Sequence, residues 1–269
     1  MHPGPIFSFL GMDVYMYGVC IAIGILACFI IYFSYLPTQK VKQDVQDFGF
    51  FVAIGAIASG FGGAALFQAF YGFIATGKWE FGGLTVMGGI IGGVVMFLVL
   101  YFGIGHFRYP DGIHKKQFNQ ILRVAPICIC AAHGFGRIGC LFSGCCHGAY
   151  LGPDPVAGGI FMDATLGEGY YVPTQLYESI FLFILGGILT FLYFKKFNFT
   201  ASIYLIAYGI WRFIIEFFRA DDRGGVGILQ PSQWQSLIFI AVGIVIALVY
   251  IYIFKAKFWL KEDSSATNK

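Results

Sequence analysis

Long apolar runs separated by short polar segments dominate the sequence. Seven of these runs have about 20 residues or more, the length that a helix needs to cross a hydrocarbon core of about 30 Å. They cover residues 14–36, 48–75, 84–105, 123–143, 174–194, 200–218 and 233–254. This pattern predicts an all-α fold, a polytopic membrane protein with seven transmembrane helices.

The composition agrees with this prediction. Of the 269 residues, 58% are hydrophobic and only 12% are charged, whereas soluble domains contain about 25% charged residues. An ordinary soluble enzyme, a disordered chain and a collagen-like chain are therefore excluded. The net charge of +3 is small and the Lys and Arg residues are dispersed, so we expect no nucleic acid as a partner.

The Lys and Arg residues predict the direction in which the helices cross the membrane. One set of connections carries twelve of them: Lys40, Lys42, Arg108, Lys115, Lys116, Arg123, Lys195, Lys196, Lys255, Lys257, Lys261 and Lys269. The opposite set carries only Lys78, Arg219 and Arg223. Because short cytoplasmic loops carry the excess of positive charge, we expect the N-terminus outside and the C-terminus in the cytoplasm.

No charged or Pro-rich linker divides the chain, so we expect a single domain over residues 1–260 and a polar tail over residues 261–269. The longest connection, residues 144–172, falls on the outer side. Loops of this length are usually functional or disordered, and a lid and a tolerated surface insertion both fit it. Small residues at 59–65 and 88–93 predict close helix packing, with room for a lipid headgroup as the alternative.

Ionisable residues within the apolar runs are the strongest functional signal, because each costs about 2.5–3.5 kcal/mol at bilayer depth on insertion scales. Tyr208, Arg212 and Glu216 follow at intervals of four, so they share one helix face. His133 and Arg137 repeat this spacing among glycines. A guanidinium in a water-poor site matches phosphate oxygens, which points to an anionic lipid. A structural ion pair and a tight helix crossing are the alternatives.

A further polar group opens the fifth run in Val-Pro-Thr-Gln-Leu-Tyr-Glu, residues 172–178. We expect Thr174 to cap the helix that follows. Capping does not account for Gln175, Tyr177 and Glu178, which we take as candidate substrate-binding residues.

Three cysteines and a histidine occur in Cys-Leu-Phe-Ser-Gly-Cys-Cys-His, residues 140–147. Such residues ligate zinc or cycle between thiol and disulfide in other proteins. Adjacent cysteines present an awkward geometry for one ion, and no second cluster of standard spacing follows. We therefore expect no metal site and no cofactor, with the cysteines acting as small packing residues.

Six ordered motifs span nearly the whole chain. They are Tyr-Gly at 17–18, Gly-Gly-Leu-Thr-Val-Met-Gly-Gly-Ile-Ile-Gly at 82–92, Gly-Arg-Ile-Gly at 136–139 with Gly148, Pro-Thr-Gln-Leu-Tyr-Glu at 173–178, Tyr-Gly-x-x-Arg-x-x-x-Glu-Phe-Phe-Arg at 208–219, and Gln233. Together they resemble the bacterial prolipoprotein diacylglyceryl transferases. The resemblance implies seven spans and transfer of the diacylglyceryl group of phosphatidylglycerol to the lipobox cysteine thiol of a preprolipoprotein.

The resemblance also implies roles for particular residues. Arg137 would contact the phosphatidylglycerol headgroup, Arg212 and Glu216 would organise the reaction site, and Tyr17 and Gly148 would line it. The implied partners are phosphatidylglycerol, preprolipoprotein lipobox peptides and membrane lipids. The implied location is the bacterial plasma membrane, also called the inner membrane, as a multi-pass protein.

The chain departs from the pattern of this family at five positions. Met87 stands where the family has a histidine regarded as catalytic, and Phe61 stands where the second span has an arginine. Cys140, Cys145 and Val172 replace an asparagine, a glutamate and a histidine of the family.

These departures bear on the proton acceptor, because methionine cannot accept a proton. We expect His133, one helical turn from Arg137, to take this role. The alternative is a divergent paralogue that binds anionic phospholipid without this turnover or uses another acceptor. A transporter is disfavoured, because no pair of interrupted spans occurs in corresponding halves.

Overall fold

A computed structural model of the chain describes residues 4–9, 12–79, 86–164, 167–219, 229–253, 255 and 258–260. Within these residues, seven helices are long and apolar enough to cross a membrane. They are α1 (Met16–Thr38), α2 (Gln43–Thr76), α3 (Val86–Arg108), α4 (Ile113–Phe142), α5 (Thr174–Phe194), α6 (Thr200–Ile215) and α7 (Pro231–Tyr252). The seven predicted helices of membrane-spanning length are thereby confirmed. The polar tail at 261–269 lies outside the described residues.

Most helix ends agree with the apolar runs to within a few residues, but α4 begins at Ile113 rather than at residue 123. Its first turns are amphipathic: His114 is buried, while Lys115 and Lys116 are exposed. An amphipathic stretch does not appear as a continuous apolar run, so the sequence predicts a start for α4 that is too late. A turn of 3₁₀ helix, Glu216–Phe218, directly follows the C-terminal end of α6.

In the part of the chain that the structure describes, five short strands accompany the helices, and the all-α prediction did not include them. Two form a hairpin before α1, and three form an antiparallel sheet in the order β3-β5-β4 between α4 and α5. Their bounds are β1 (Phe7–Phe9), β2 (Met12–Val14), β3 (Tyr150–Gly152), β4 (Ile160–Ala164) and β5 (Gly167–Tyr171). Strands of three to five residues show too little alternation to be recognised from sequence.

The sheet gives an ordered core to residues 144–172, which we call the outer loop after its predicted side of the membrane. Leu141 at the end of α4, Met162 of β4 and Tyr171 of β5 form a small buried hydrophobic cluster. The Tyr171 hydroxyl also donates a hydrogen bond to the Gly167 carbonyl at 2.8 Å. The connection is therefore folded against α4 through its own apolar contacts.

The chain divides into two compact units, of which one is Tyr35–Ile121. In this unit α2 packs closely on α3, since a Cβ added to Gly63 would lie 2.7 Å from the Gly88 carbonyl oxygen. A Cβ added to Gly60 would lie 3.0 Å from the Gly89 carbonyl oxygen. The prediction of close packing between small residues is thus confirmed.

The other unit comprises Met1–Ser34 and Leu122–Lys269. Buried Arg123 of α4 donates hydrogen bonds to the carbonyls of Tyr193 at 2.7 Å and Phe197 at 2.8 Å, which tie the end of α5 to α4. All the candidate site residues belong to this unit. The assignment of residues 1–260 to one domain stays a prediction.

Candidate functional site

Glu178, near the start of α5, lies at the centre of a buried polar cluster. Its side chain is 1% exposed, and its Oε2 atom lies 3.0 Å from Arg137 Nε and 3.9 Å from Arg212 Nη1. Its Oε1 atom accepts a hydrogen bond from the Tyr208 hydroxyl at 2.9 Å. One carboxylate therefore joins α4, α5 and α6 and brings together four residues that were singled out from the sequence.

A second carboxylate extends this cluster towards the end of α6. Glu216 Oε2 lies 2.8 Å from Arg212 Nη2, which confirms that Arg212 and Glu216 share a helix face. The same oxygen lies 4.0 Å from Arg219 Nε. The position of Arg219 after the sixth apolar run predicts an outer loop, yet its side chain is buried. Its position three residues after Glu216, where the tighter 3₁₀ turn follows α6, is the signal that was missed.

Among the described residues, the cluster carries an excess of positive charge over its carboxylates. Three guanidinium groups face two carboxylates, and the side chains of all five residues are largely buried. Among the described residues, Arg212 Nη1 has no hydrogen-bond partner, because 3.9 Å to Glu178 exceeds hydrogen-bond distance. Buried charge is costly unless it is paired. The cluster is therefore suited to an anion such as phosphate, which accepts from guanidinium groups bidentately.

His133 contacts the same cluster from α4. Its Nε2 atom accepts a hydrogen bond from Arg137 Nε at 3.2 Å and lies 3.7 Å from Glu178 Oε1. The imidazole packs edge-on against the Tyr208 ring, with centroids 5.3 Å apart, and its side chain is 28% exposed. The nitrogen nearest the cluster is thus engaged by Arg137.

The chain reverses directly after α4 in a Schellman motif. The Cys145 N–H donates to the Cys140 carbonyl at 3.2 Å, and the Gly144 N–H donates to the Leu141 carbonyl at 3.3 Å. Gly144 has a φ of 63°, and a Cβ there would collide with the Asp163 carbonyl oxygen. Only glycine meets both demands, and the motif places residue 145 beside residue 140.

This turn gathers three thiols. The Sγ atoms of Cys140, Cys145 and Cys146 all lie within 4.8 Å of one another. Cys146 adopts a φ of 63°, a left-handed conformation that costs a residue with a side chain about 1–2 kcal/mol. The adjacent cysteines therefore converge, contrary to the geometry expected from the sequence.

Arg219 connects the thiols with the arginine cluster. Hydrogen bonds from the Cys140 and Cys145 thiols lower the pKa of Cys146, and a hydrogen bond from the Arg219 guanidinium lowers this pKa further. Since Arg219 also faces Glu216, its guanidinium contacts both the thiols and the arginine cluster.

The first turn of α5 anchors the loop that carries these thiols. Gln175 Nε2 donates to the Cys145 carbonyl at 2.6 Å, and the Thr174 hydroxyl donates to the Cys146 carbonyl at 2.9 Å. The expected capping role of Thr174 is wrong: the N-cap residue is Pro173, and the hydroxyl bonds the loop instead. Gln175 therefore lies next to the site but is bound to protein backbone.

The remaining candidates lie at different distances from this cluster. Gly148 pairs with Arg219 in a β-bridge, and a Cβ there would collide with the Phe218 carbonyl oxygen. Tyr17 is 43% exposed. It lines a cavity of about 610 Å³ together with Asp13, Val14, Tyr15, Gly18 and Ser143. The Tyr177 hydroxyl donates to the Gly158 carbonyl at 3.3 Å, in the connection between α4 and α5.

Two departures from the family pattern lie in the other unit. Phe61 is part of α2 and is 61% exposed. Met87 belongs to α3, but its side chain lies outside the described residues.

Comparison with known proteins decides the family. A sequence model described as prolipoprotein diacylglyceryl transferase matches residues 5–249. The chain belongs to the prolipoprotein diacylglyceryl transferase family. The family that the six motifs suggested is thereby confirmed.

Three relatives illustrate how far the similarity to diacylglyceryl transferases extends. The phosphatidylglycerol–prolipoprotein diacylglyceryl transferase of Clostridium tetani is 33% identical over 254 residues, which cover 89% of this chain and 94% of the relative. A protein of Clostridium perfringens named phosphatidylglycerol–prolipoprotein diacylglyceryl transferase 2 is 34% identical over 256 residues, covering 87% and 89%. A Streptococcus pneumoniae transferase of the same name is 29% identical over 266 residues, covering 93% and 94%.

Proposed function

We infer that this protein transfers the diacylglyceryl group of phosphatidylglycerol to the lipobox cysteine thiol of preprolipoproteins, the first step of bacterial lipoprotein maturation. The similarity over nearly the full length to relatives named for this reaction carries the inference. It is preferred to a lipid-binding paralogue without turnover, because the matched relatives share the name of the transferase.

The arginine cluster supplies a physical reason for this chemistry. The acceptor sulfur attacks a glycerol carbon of the lipid, an S–C bond forms, and the C–O bond to phosphate breaks with its electron pair on the departing glycerol phosphate. We propose that Arg137 and Arg212 bind the phosphate and stabilise the charge that develops on it. Glu178 and Glu216 hold the two guanidinium groups in place, at 3.0 Å and 2.8 Å respectively.

His133 remains the proposed proton acceptor for the thiol. Its Nε2 atom now accepts from Arg137 Nε at 3.2 Å. A phosphate that draws Arg137 into a bidentate contact would release this nitrogen at the moment when the lipid is bound. Tyr208 supports the arrangement through its hydrogen bond to Glu178.

The other candidate residues have supporting roles in this proposal. Gln175 and Gly148 position the loop beside the arginines, and Tyr17 lines the neighbouring cavity. Tyr177 contacts the outer loop and would face the acceptor peptide. The site would lie towards the outer side of a bacterial plasma membrane, as the distribution of Lys and Arg supports.

A complementation experiment tests this function. The protein is expressed in a bacterium depleted of its own diacylglyceryl transferase, and lipoproteins are followed by incorporation of labelled fatty acid. We expect labelling with the parent chain and a loss of about 10²–10³-fold with Arg137→Lys, since a single preorganised donor is worth that much. Arg108→Lys is the matched control, because its guanidinium pairs with Asp44 at a half-exposed surface. Labelling that survives Arg137→Lys undiminished would contradict the proposal.

A further inference from the structure

The reaction described above leaves three converging thiols without a role. Cys140, Cys145 and Cys146 bring their Sγ atoms within 4.8 Å of one another. A Schellman turn, a left-handed cysteine and two side-chain anchors from α5 all maintain this arrangement. A cysteine that only fills space would not need the unfavourable positive φ that Cys146 adopts. The loop is therefore shaped to present three soft donor atoms together.

Three thiolates match the chemistry of zinc. Zn²⁺ binds cysteine sulfur at about 2.3 Å, so tetrahedral ligands lie about 3.8 Å apart and the thiols need to approach by about 1 Å at most. Cys145 is exposed, so little packing opposes this adjustment of its side chain. The loop backbone would stay in place, since the carbonyls of Cys145 and Cys146 are held by Gln175 and Thr174.

The coordination would be incomplete with protein ligands alone. Among the described residues, only these three thiols meet the distance limit for a shared ion at this place. His147 is adjacent in sequence, but its Nδ1 lies 2.8 Å from the Gly148 carbonyl oxygen and its ring packs on Tyr171. Structural zinc sites have four protein ligands, whereas catalytic sites keep three and leave the fourth position open.

The position of the thiols also fits an acceptor that carries sulfur. Arg219 hydrogen-bonds Cys146 and faces Glu216 of the arginine cluster, so the thiols adjoin the proposed phosphate site. Three thiolates and one Zn²⁺ would carry one net negative charge beside Arg219, which leaves Arg137 and Arg212 for the phosphate. The cavity of about 610 Å³ is lined in part by Ser143, which belongs to the same turn.

We propose that Cys140, Cys145 and Cys146 bind one Zn²⁺ ion and that the open fourth position binds the thiol of the acceptor cysteine. This proposal rests on the proposed transferase function. The acceptor thiol would lose its proton on binding, and this proton would pass through water to His133. The sulfur would then form the S–C bond while the C–O bond to phosphate breaks with its electron pair on the departing glycerol phosphate. Zinc is neither oxidised nor reduced, and the thioether product, a weaker ligand than a thiolate, dissociates. Zinc would thus assist the loss of the proton that His133 accepts in the proposed function.

Metal binding is tested first, without reference to activity. The full chain is purified under reduction, stripped with a chelator, incubated with zinc chloride, freed of excess metal and analysed for zinc. We expect one Zn²⁺ per parent chain and none above background for Cys145→Ser and for Cys146→Ser. Cys130→Ala is the matched control, because this buried cysteine of α4 lies outside the cluster and should keep the full zinc content. Zinc content that is unchanged in Cys145→Ser, or absent from the parent, overturns the proposal.

The open position is tested with Co²⁺ in place of zinc. We expect thiolate-to-cobalt absorption that changes when a lipobox peptide is added and stays unchanged with the same peptide carrying Ser for Cys. An identical response to both peptides overturns the role of the fourth position.

Transfer assays separate this proposal from the function on which it rests. We expect the rate of transfer to fall at least about tenfold on metal removal and to return with zinc. Full transfer by the stripped protein and by Cys145→Ser would overturn the zinc proposal and leave the transferase function standing. Zinc binding with a cysteine-dependent cobalt response, but without any transfer, would support the site and overturn the function.

Discussion

The Tyr208 hydroxyl lies deep in the protein and is bonded to a carboxylate oxygen of Glu178 at 2.9 Å. Hydrogen bonds to charged groups contribute about 1.5–3 kcal/mol to stability, and a buried oxygen that loses its donor keeps the cost of desolvation. Tyr208→Phe retains the ring and its edge contact with His133, which isolates the contribution of the hydroxyl.

We expect Tyr208→Phe to lower the free energy of unfolding in mixed micelles by about 1.5–3 kcal/mol. Denaturant titration of the parent and the variant measures this difference. Tyr252→Phe serves as the control, because Tyr252 is exposed near the end of α7. Equal stability of the two variants would show that the hydroxyl contributes nothing to the cluster.

The charge balance of the cluster gives a second prediction at this scale. Glu178→Gln keeps the volume but leaves Arg137 and Arg212 without their shared carboxylate, and breaking a buried pair typically costs about 3–5 kcal/mol. An anionic headgroup bound between these two arginines should then restore part of the lost stability. We expect phosphatidylglycerol to raise the melting temperature of Glu178→Gln more than that of the parent, whereas phosphatidylcholine should raise both equally. Equal responses to phosphatidylglycerol would argue against a lipid phosphate among the arginines.

Close packing of glycines decides how α2 and α3 fit together. An added Cβ at Gly63 would lie 2.7 Å from the Gly88 carbonyl oxygen, which is too close for any real contact. At Gly62, one residue earlier in the same helix, an added Cβ would meet no atom within 4 Å among the described residues. The two positions therefore form a matched pair.

We expect Gly63→Ala to lower the free energy of unfolding by about 1–3 kcal/mol, the usual cost of overpacking. Gly62→Ala should be neutral or slightly stabilising, because alanine is the better helix former. Unfolding of each variant in detergent measures the difference. If both substitutions have the same effect, the close approach of α2 and α3 is not what stabilises this unit.

The elements also show what the sequence could predict. Seven spans follow from apolar runs of helical length, and the shared face of Arg212 and Glu216 follows from their spacing. The strands of the outer loop do not, because three to five residues carry too weak a pattern. The convergence of Cys140, Cys145 and Cys146 depends on a glycine turn followed by a left-handed cysteine. Gly144 indicates the turn, but residue types alone do not reveal that a left-handed cysteine follows it.

At the scale of the whole molecule, the excess of Lys and Arg on one set of connections predicts the orientation in the membrane. We expect fusions at the C-terminus to report the cytoplasm, with a fluorescent protein bright and an alkaline phosphatase inactive. A phosphatase inserted at residue 156 in the outer loop should be active. The opposite pattern would place the outer loop and the thiols in the cytoplasm and would require the proposed orientation to be reversed.

Transfer of the diacylglyceryl group is the claim on which the account depends most. The direct test incubates the purified full chain with phosphatidylglycerol micelles and a lipobox peptide, and follows both products by mass spectrometry. We predict a diacylglyceryl thioether on the peptide cysteine and an equal amount of released glycerol phosphate. Arg137→Lys should lose both products and Arg108→Lys should keep them. A protein that retains phosphatidylglycerol but forms neither product would contradict the account.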